Sequence, residues 1–293
     1  MSNRKYIVMF VTFFLMFIGI MDYPFISQML NEIDQTEVAR DYDVIVDNMD
    51  VDIRKKHLEE AREYNRALAE ESALSYHAPF EEESLDEWYN TLLDIKADLI
   101  MASIEIPAID VFIPIHHGTD PDVLEIGLGH LKVSSLPVGG ENTHAVITGH
   151  RALPNNRLFT DLDQLENGDI FLIRVVDEIL AYEVHEVQVV EPHQIEALKI
   201  EDGKDLVTLI TCTPYGVNTH RIFVHGHRIP YNEAVERLTP PPDRIGFWAK
   251  WWWLILTILL LLWMIALVYW FTHKNNKENN TNNGNVDNII GNQ

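Results

Sequence analysis

The sequence predicts a mainly β protein: a closed β-barrel with short helices, preceded by an N-terminal helical region and flanked by transmembrane helices. Three observations lead there. From Leu99 onward, short runs rich in Val, Ile, Phe and Thr alternate with turn residues, as strands of an all-β domain do. Before them, Val51 to Ala73 is rich in Glu, Lys, Arg, Ala and Leu and contains neither Pro nor Gly, which is helix composition. Two uncharged apolar segments, Tyr6–Met21 and Trp251–Phe271, stand near the two ends of the 293-residue chain.

In chain order, Tyr6–Met21 follows Arg4 and Lys5 and is a little short for a span. No small-x-small cleavage site comes after it, so an uncleaved signal anchor (1–26) is expected, with a cleaved signal peptide as the alternative. The basic pair holds the N-terminus in the cytoplasm. A helical region (27–98) follows. Ile53, His57, Ala61, Tyr64 and Leu68 recur at helical intervals within it, Pro79 breaks the pattern, and a short second helix is expected near Ser84–Leu93. The barrel (99–232) takes candidate strands Leu99–Glu105, Val111–Ile115, His144–Thr148, Ile170–Val176, Leu180–Val190, Leu206–Cys212 and Arg221–Arg228. Pro121–Gly127 and Leu158–Leu165 read as helical turns. A linker (233–246) leads to a C-terminal transmembrane helix (247–272), with Trp248 and Trp251–Trp253 crowding one end and Tyr269 and Trp270 the other, as interfacial aromatics do. The Asn-rich tail (273–293) reads as disordered and cytoplasmic. The body between the spans then faces outward.

Lys and Arg total 22 against 45 Asp and Glu, a net charge of −23. That balance excludes nucleic acid as a partner, because such binding needs basic surface to displace counterions. It fits a water-exposed face and a cationic partner.

Cys212 is the single cysteine, so an internal disulfide is impossible. It ends a β-branched apolar run just before Pro214 and Gly216. The bland reading is a small buried hydrophobe; the sharper one is a nucleophile at a strand end. Leu206–Cys212 and Arg221–Arg228 read as antiparallel neighbours, which brings Arg221 beside Cys212. A permanent cation there favours thiolate and can stabilise an oxyanion; alternatively Arg221 pairs with a surface carboxylate. A cysteine nucleophile also needs a proton carrier. His150 lies at a strand end after Thr148-Gly149, His144 lies within a strand, and His225 and His227 alternate on one strand face as a metal pair could. No third ligand of convincing spacing accompanies that pair, so neither a metal nor another cofactor is expected. Composition does not choose the histidine.

Longer motifs do. Thr208-Leu209-Ile210-Thr211-Cys212 followed by Arg221 resembles the active-site strand and arginine of sortases, the cysteine transpeptidases of Gram-positive surfaces. Thr148-Gly149-His150-Arg151 followed by Leu158-Phe159-Thr160-Asp161-Leu162 resembles their histidine segment. With Ile104-Glu105-Ile106-Pro107, His117-Gly118-Thr119 and Leu136-Pro137-Val138-Gly139-Gly140, the stretch from Ile100 to Ile229 is similar to class C, the pilin-polymerising branch. The resemblance implies Cys212 as nucleophile on the Thr carbonyl of an LPXTG-like sorting signal, His150 as acid and base, and Arg221 as oxyanion or substrate holder. It implies a pilin lysine as acceptor, and a membrane-bound enzyme. Class C enzymes carry an Asp-Pro-aromatic lid. Here His77-Ala78-Pro79-Phe80 keeps Pro79 and Phe80 but has Ala78 where Asp is expected, which implies a weaker lid held by Phe80. Two other classes stay open: a cysteine hydrolase without amine transfer, and a non-catalytic membrane scaffold for surface-protein assembly.

Overall fold

Eight strands close into a barrel whose wall runs β1-β2-β3-β4-β7-β8-β6-β5 in the computed structural model. They are β1 (Ile100–Ile106), β2 (Val111–His117), β3 (Leu128–His130), β4 (Thr143–Thr148), β5 (Ile170–Val175), β6 (Glu178–Val190), β7 (Asp205–Thr213) and β8 (His220–Ile229). The structure describes residues 3–74, 88–95, 99–154, 156–238, 252–270 and 273. The seven expected strands are present with ends shifted by a residue or two. β3 was not expected: three residues are too few to show period-2 alternation.

Alternation along the strands decides what faces the barrel interior. Ala145 and Ile147 of β4, Val207 and Leu209 of β7, and Ile222 and Val224 of β8 belong to the main core. The intervening residues of those strands point outward. Two pairings are parallel, β2 with β3 and β4 with β7, and the others are antiparallel. A parallel pair needs a long crossover. Between β4 and β7 that crossover contains β5 and β6, so the two strands nearest the candidate site are far apart in sequence.

The chain divides into two compact units, Phe25–Ile245 and Met1–Pro24 with Gly246–Gln293. In the first, helix α2 (Val51–Leu74) packs on the barrel. Ala61, Tyr64 and Leu68 are buried as the spacing implies, but Ile53 is exposed, and Leu58 and Asn65 complete the face instead. Asn65 accepts from the Leu136 amide (2.7 Å) and donates to the Leu136 carbonyl (2.9 Å), so a buried amide side chain replaces a missing ladder partner. Arg62 reaches both carboxylate oxygens of Glu178 at 2.7 Å.

Helix α1 (Asn3–Asp47) is longer than the expected anchor and has Pro24 inside it. Its later residues Ala39, Tyr42 and Val46 are buried, and Tyr42 bridges the Met101 carbonyl (2.9 Å) and the Val176 amide (3.1 Å). Of the expected second short helix, residues 88–91 are helical and 84–87 lie outside the described residues. Tyr89 there is hydrogen-bonded to His130 Nδ1 (2.9 Å) and accepts from the Gly118 amide (3.0 Å). Helix α3 (Pro121–Ile126) precedes β3. Helix α4 (Tyr231–Arg237) occupies the start of the expected linker, and its Ala234 packs on Ile170, Leu172, Ala181 and Ile229.

In the other unit, helix α5 (Trp252–Trp270) is long and apolar enough to cross a membrane, as is α1. Thr257 of α5 donates to Asp22 (3.3 Å) and to the Trp253 carbonyl (2.6 Å). The expected tail, from 274 on, lies outside the described residues.

Candidate active site

Cys212 sits one residue before the end of β7, half-buried and unpaired with any other cysteine. Its register partner on β8 is Arg221. Directly opposed residues of an antiparallel pair lie roughly 4.5–5.5 Å apart at Cα, so Arg221 and Cys212 are neighbours across the ladder. Arg221 Nη1 donates to the carbonyls of His220 (3.0 Å) and Asn218 (3.2 Å), which orients the planar group against its own turn. The Thr213–Pro214 peptide is cis, and Asn218 has a positive φ of 61°.

On the other flank of β7 lies β4. The parallel ladder ends at Thr148↔Ile210. It is prolonged by the Gly149 amide donating to the Ile210 carbonyl (3.1 Å) and by Thr211 Oγ1 donating to the Gly149 carbonyl (2.8 Å). His150 thus stands two residues beyond Thr148, as Cys212 stands two beyond Ile210. By the same alternation, Cys212 and Arg221 lie on the outer face of the wall, on adjacent strands about 4.8 Å apart, and His150 follows the end of β4, the other neighbour of β7. The His150 carbonyl accepts from the Phe159 amide (3.3 Å), anchoring its loop from below.

The next residue, Arg151, has a side chain only 8% exposed. Its Nε donates to the Thr160 carbonyl (3.1 Å) and its Nη1 to Thr213 Oγ1 (3.1 Å); its Nη2 pairs with Asp163, and its guanidinium lies 5.9 Å from the Tyr215 ring centre. Sequence reasoning missed Arg151 apart from its place in the histidine motif.

His144 and His225 are brought together elsewhere. His144 Nε2 and His225 Nδ1 both lie 2.7 Å from the Thr208 hydroxyl, and His144 Nδ1 lies 2.8 Å from the Lys199 carbonyl. This row occupies the same outer face, on the order of 13 Å from Cys212 along β7. Burial and the neighbouring His144 push His225 down to about 4, and burial also pushes His144 down. His227 lies further along β8, near Glu183 (3.9 Å). Among the described residues, no cluster of three or more His, Cys, Asp or Glu could hold a metal ion. The expected lid residues Pro79 and Phe80 lie outside the described residues.

A family model described as the sortase domain matches residues 104–229. Among solved structures, the chain is similar to sortase C1 from Streptococcus agalactiae, with 41% sequence identity, 66% of this chain and 98% of that one covered, and a TM-score of 0.61. It is also similar to sortase C from Streptococcus pneumoniae, whose structure bears on catalysis and pilin substrate specificity, with 42% identity, 67% and 97% covered, and a TM-score of 0.59. Sortase D of Bacillus subtilis (strain 168) is 32% identical over 129 residues, 43% of this chain and 62% of that protein. The chain spans less than two thirds of the length of the curated relatives it matches.

Proposed function

The chain belongs to the sortase family, as a class C sortase, and on that premise we propose that it is a membrane-anchored cysteine transpeptidase. It cleaves an LPXTG-like sorting signal between Thr and Gly and passes the acyl group to an amine, a pilin lysine. What supports this reading most is that Cys212 and Arg221 are register partners on β7 and β8 and that His150 follows the end of β4, the parallel neighbour of β7.

The chemistry follows from that arrangement. The Cys212 thiolate, its proton held on His150, attacks the Thr carbonyl carbon, and the electron pair of the C=O moves to oxygen. Arg221 stabilises that oxyanion. Collapse breaks the C–N bond while His150 gives a proton to the departing Gly amine, leaving a thioester. The lysine amine then attacks the thioester and loses its proton to His150. An isopeptide bond forms and the Cys212 thiolate departs. Pro79 and Phe80, outside the described residues, are the lid residues of this reading. The spans α1 and α5 hold the body outside the membrane with both termini in the cytoplasm.

The test is intact-mass spectrometry of the full chain in detergent with a panel of LPXTG-type peptides and a lysine-containing pilin peptide as acceptor. The parent, Cys212→Ala and Phe80→Ala are compared. The expected result is an adduct on Cys212, absent from Cys212→Ala, discharged to the lysine, and formed faster in Phe80→Ala. Discharge to water alone would make the protein a hydrolase. Pilus assembly in cells carrying Cys212→Ala would make it a scaffold.

A further inference from the structure

We propose that Arg151 is a positioning residue of the transacylation, a clamp that holds the His150 loop against the strand end bearing Cys212. The inference rests on the transpeptidase reading above and assigns Arg151 a part in it.

The need for a clamp is topological. The β4–β7 ladder ends two residues short of both His150 and Cys212. Beyond it the chain turns sharply: Ala152 has φ +67°, outside the range β-strands use. His150 therefore sits where regular pairing no longer sets the distance between its strand and the next. Misplacement by about 1 Å can cost on the order of 100-fold in rate.

Arg151 supplies what the ladder stops supplying. Each of its three guanidinium nitrogens has a different partner. Nε takes the Thr160 carbonyl, on the far limb of the histidine loop. Nη1 takes the hydroxyl of Thr213, the residue after Cys212. Nη2 takes Asp163, which also balances the charge of a side chain left 8% exposed. The Tyr215 ring, also just past Cys212, lies within cation–π range of the same group. One rigid fork thus spans both segments. A lysine carries the charge but has no planar fork to meet all these partners at once.

The prediction is a defect confined to the step that needs the imidazole in place. With a peptide amide, the leaving nitrogen must be protonated by His150. With an aryl thioester of the same Leu-Pro-X-Thr segment, the aryl thiolate leaves without a proton, while attack by Cys212 is the same. Both donors would be used on full-length protein in detergent, following thioester formation on Cys212. In Arg151→Ala we expect amide acylation to fall roughly 100-fold with KM within about threefold of the parent, and aryl-thioester acylation to stay within about threefold. Arg151→Lys should behave like Arg151→Ala. Thr213→Val, which removes one partner only, should show a smaller loss of the same donor-selective kind. It decides alone if circular dichroism shows Arg151→Ala unfolded. A parent acylated by both donors, with variants slowed equally on both or on neither, would overturn the clamp and leave the transpeptidase reading standing. A parent acylated by neither donor would overturn both.

Discussion

A methyl group at position 149 would overlap Leu128 and come within 3.0 Å of the Phe159 ring, so glycine here is a packing requirement just before His150. Gly149→Ala should therefore displace the His150 loop. The expected cost is about 1–3 kcal/mol in thermal or urea unfolding, together with slower acylation of Cys212, whereas Gly203→Ala, in a turn remote from Cys212, should leave acylation unchanged. Histidines set a second residue-scale expectation. Burial pushes both His130 and His225 down to about 4 from an ordinary 6.5. The unfolded chain takes up protons below 6.5 while these folded histidines resist until about 4. Their contribution to stability is thus full above pH 6.5 and is lost as the pH falls towards 4. Melting temperatures measured across that window should decline, and His225→Gln should flatten part of the decline. Around His225, the groups that tune this are His144, His185, Glu186 and Glu201.

At the scale of elements, α2 is held by its side chains rather than by its helix propensity alone. Asn65 closes two hydrogen bonds to the Leu136 backbone from a site 3% exposed. Asn65→Leu keeps the volume but orphans a buried N–H and C=O. We expect a loss of about 2–4 kcal/mol and faster hydrogen exchange at the Leu136 amide, read by mass spectrometry. The hairpin of β7 and β8 was legible beforehand, because two β-rich runs joined by a short Pro/Gly loop pair locally, and this already placed Arg221 near Cys212. That α1 runs from the anchor through Pro24 into the expected helical region was not, since a proline inside a helix argues for a break. Tertiary bonds hold that stretch instead: Gln28 donates to the Pro154 carbonyl (3.2 Å), and Glu32 meets Arg157 (3.5 Å), both in the loop that follows His150.

For the whole molecule, one cysteine and two apolar helices allow a direct test of orientation. Cys212 is half-buried rather than enclosed. A membrane-impermeant maleimide added to intact protoplasts should label the parent and not Cys212→Ala. Labelling only after lysis would put the body inside. The sequence by itself determined the mainly β class, the two apolar segments and the Cys212–Arg221 pairing, because alternation, apolar length and hairpin proximity are local properties of a chain. Family resemblance, not pattern, singled out His150 among the thirteen histidines. Only the tertiary structure decided that the strand leading to His150 pairs with the one carrying Cys212 and that Arg151 bridges to Thr213, 62 residues away. Parallel pairing of β4 with β7 across an intervening β5–β6 leaves no local signal. It becomes fixed when the barrel closes and each strand buries its inward face.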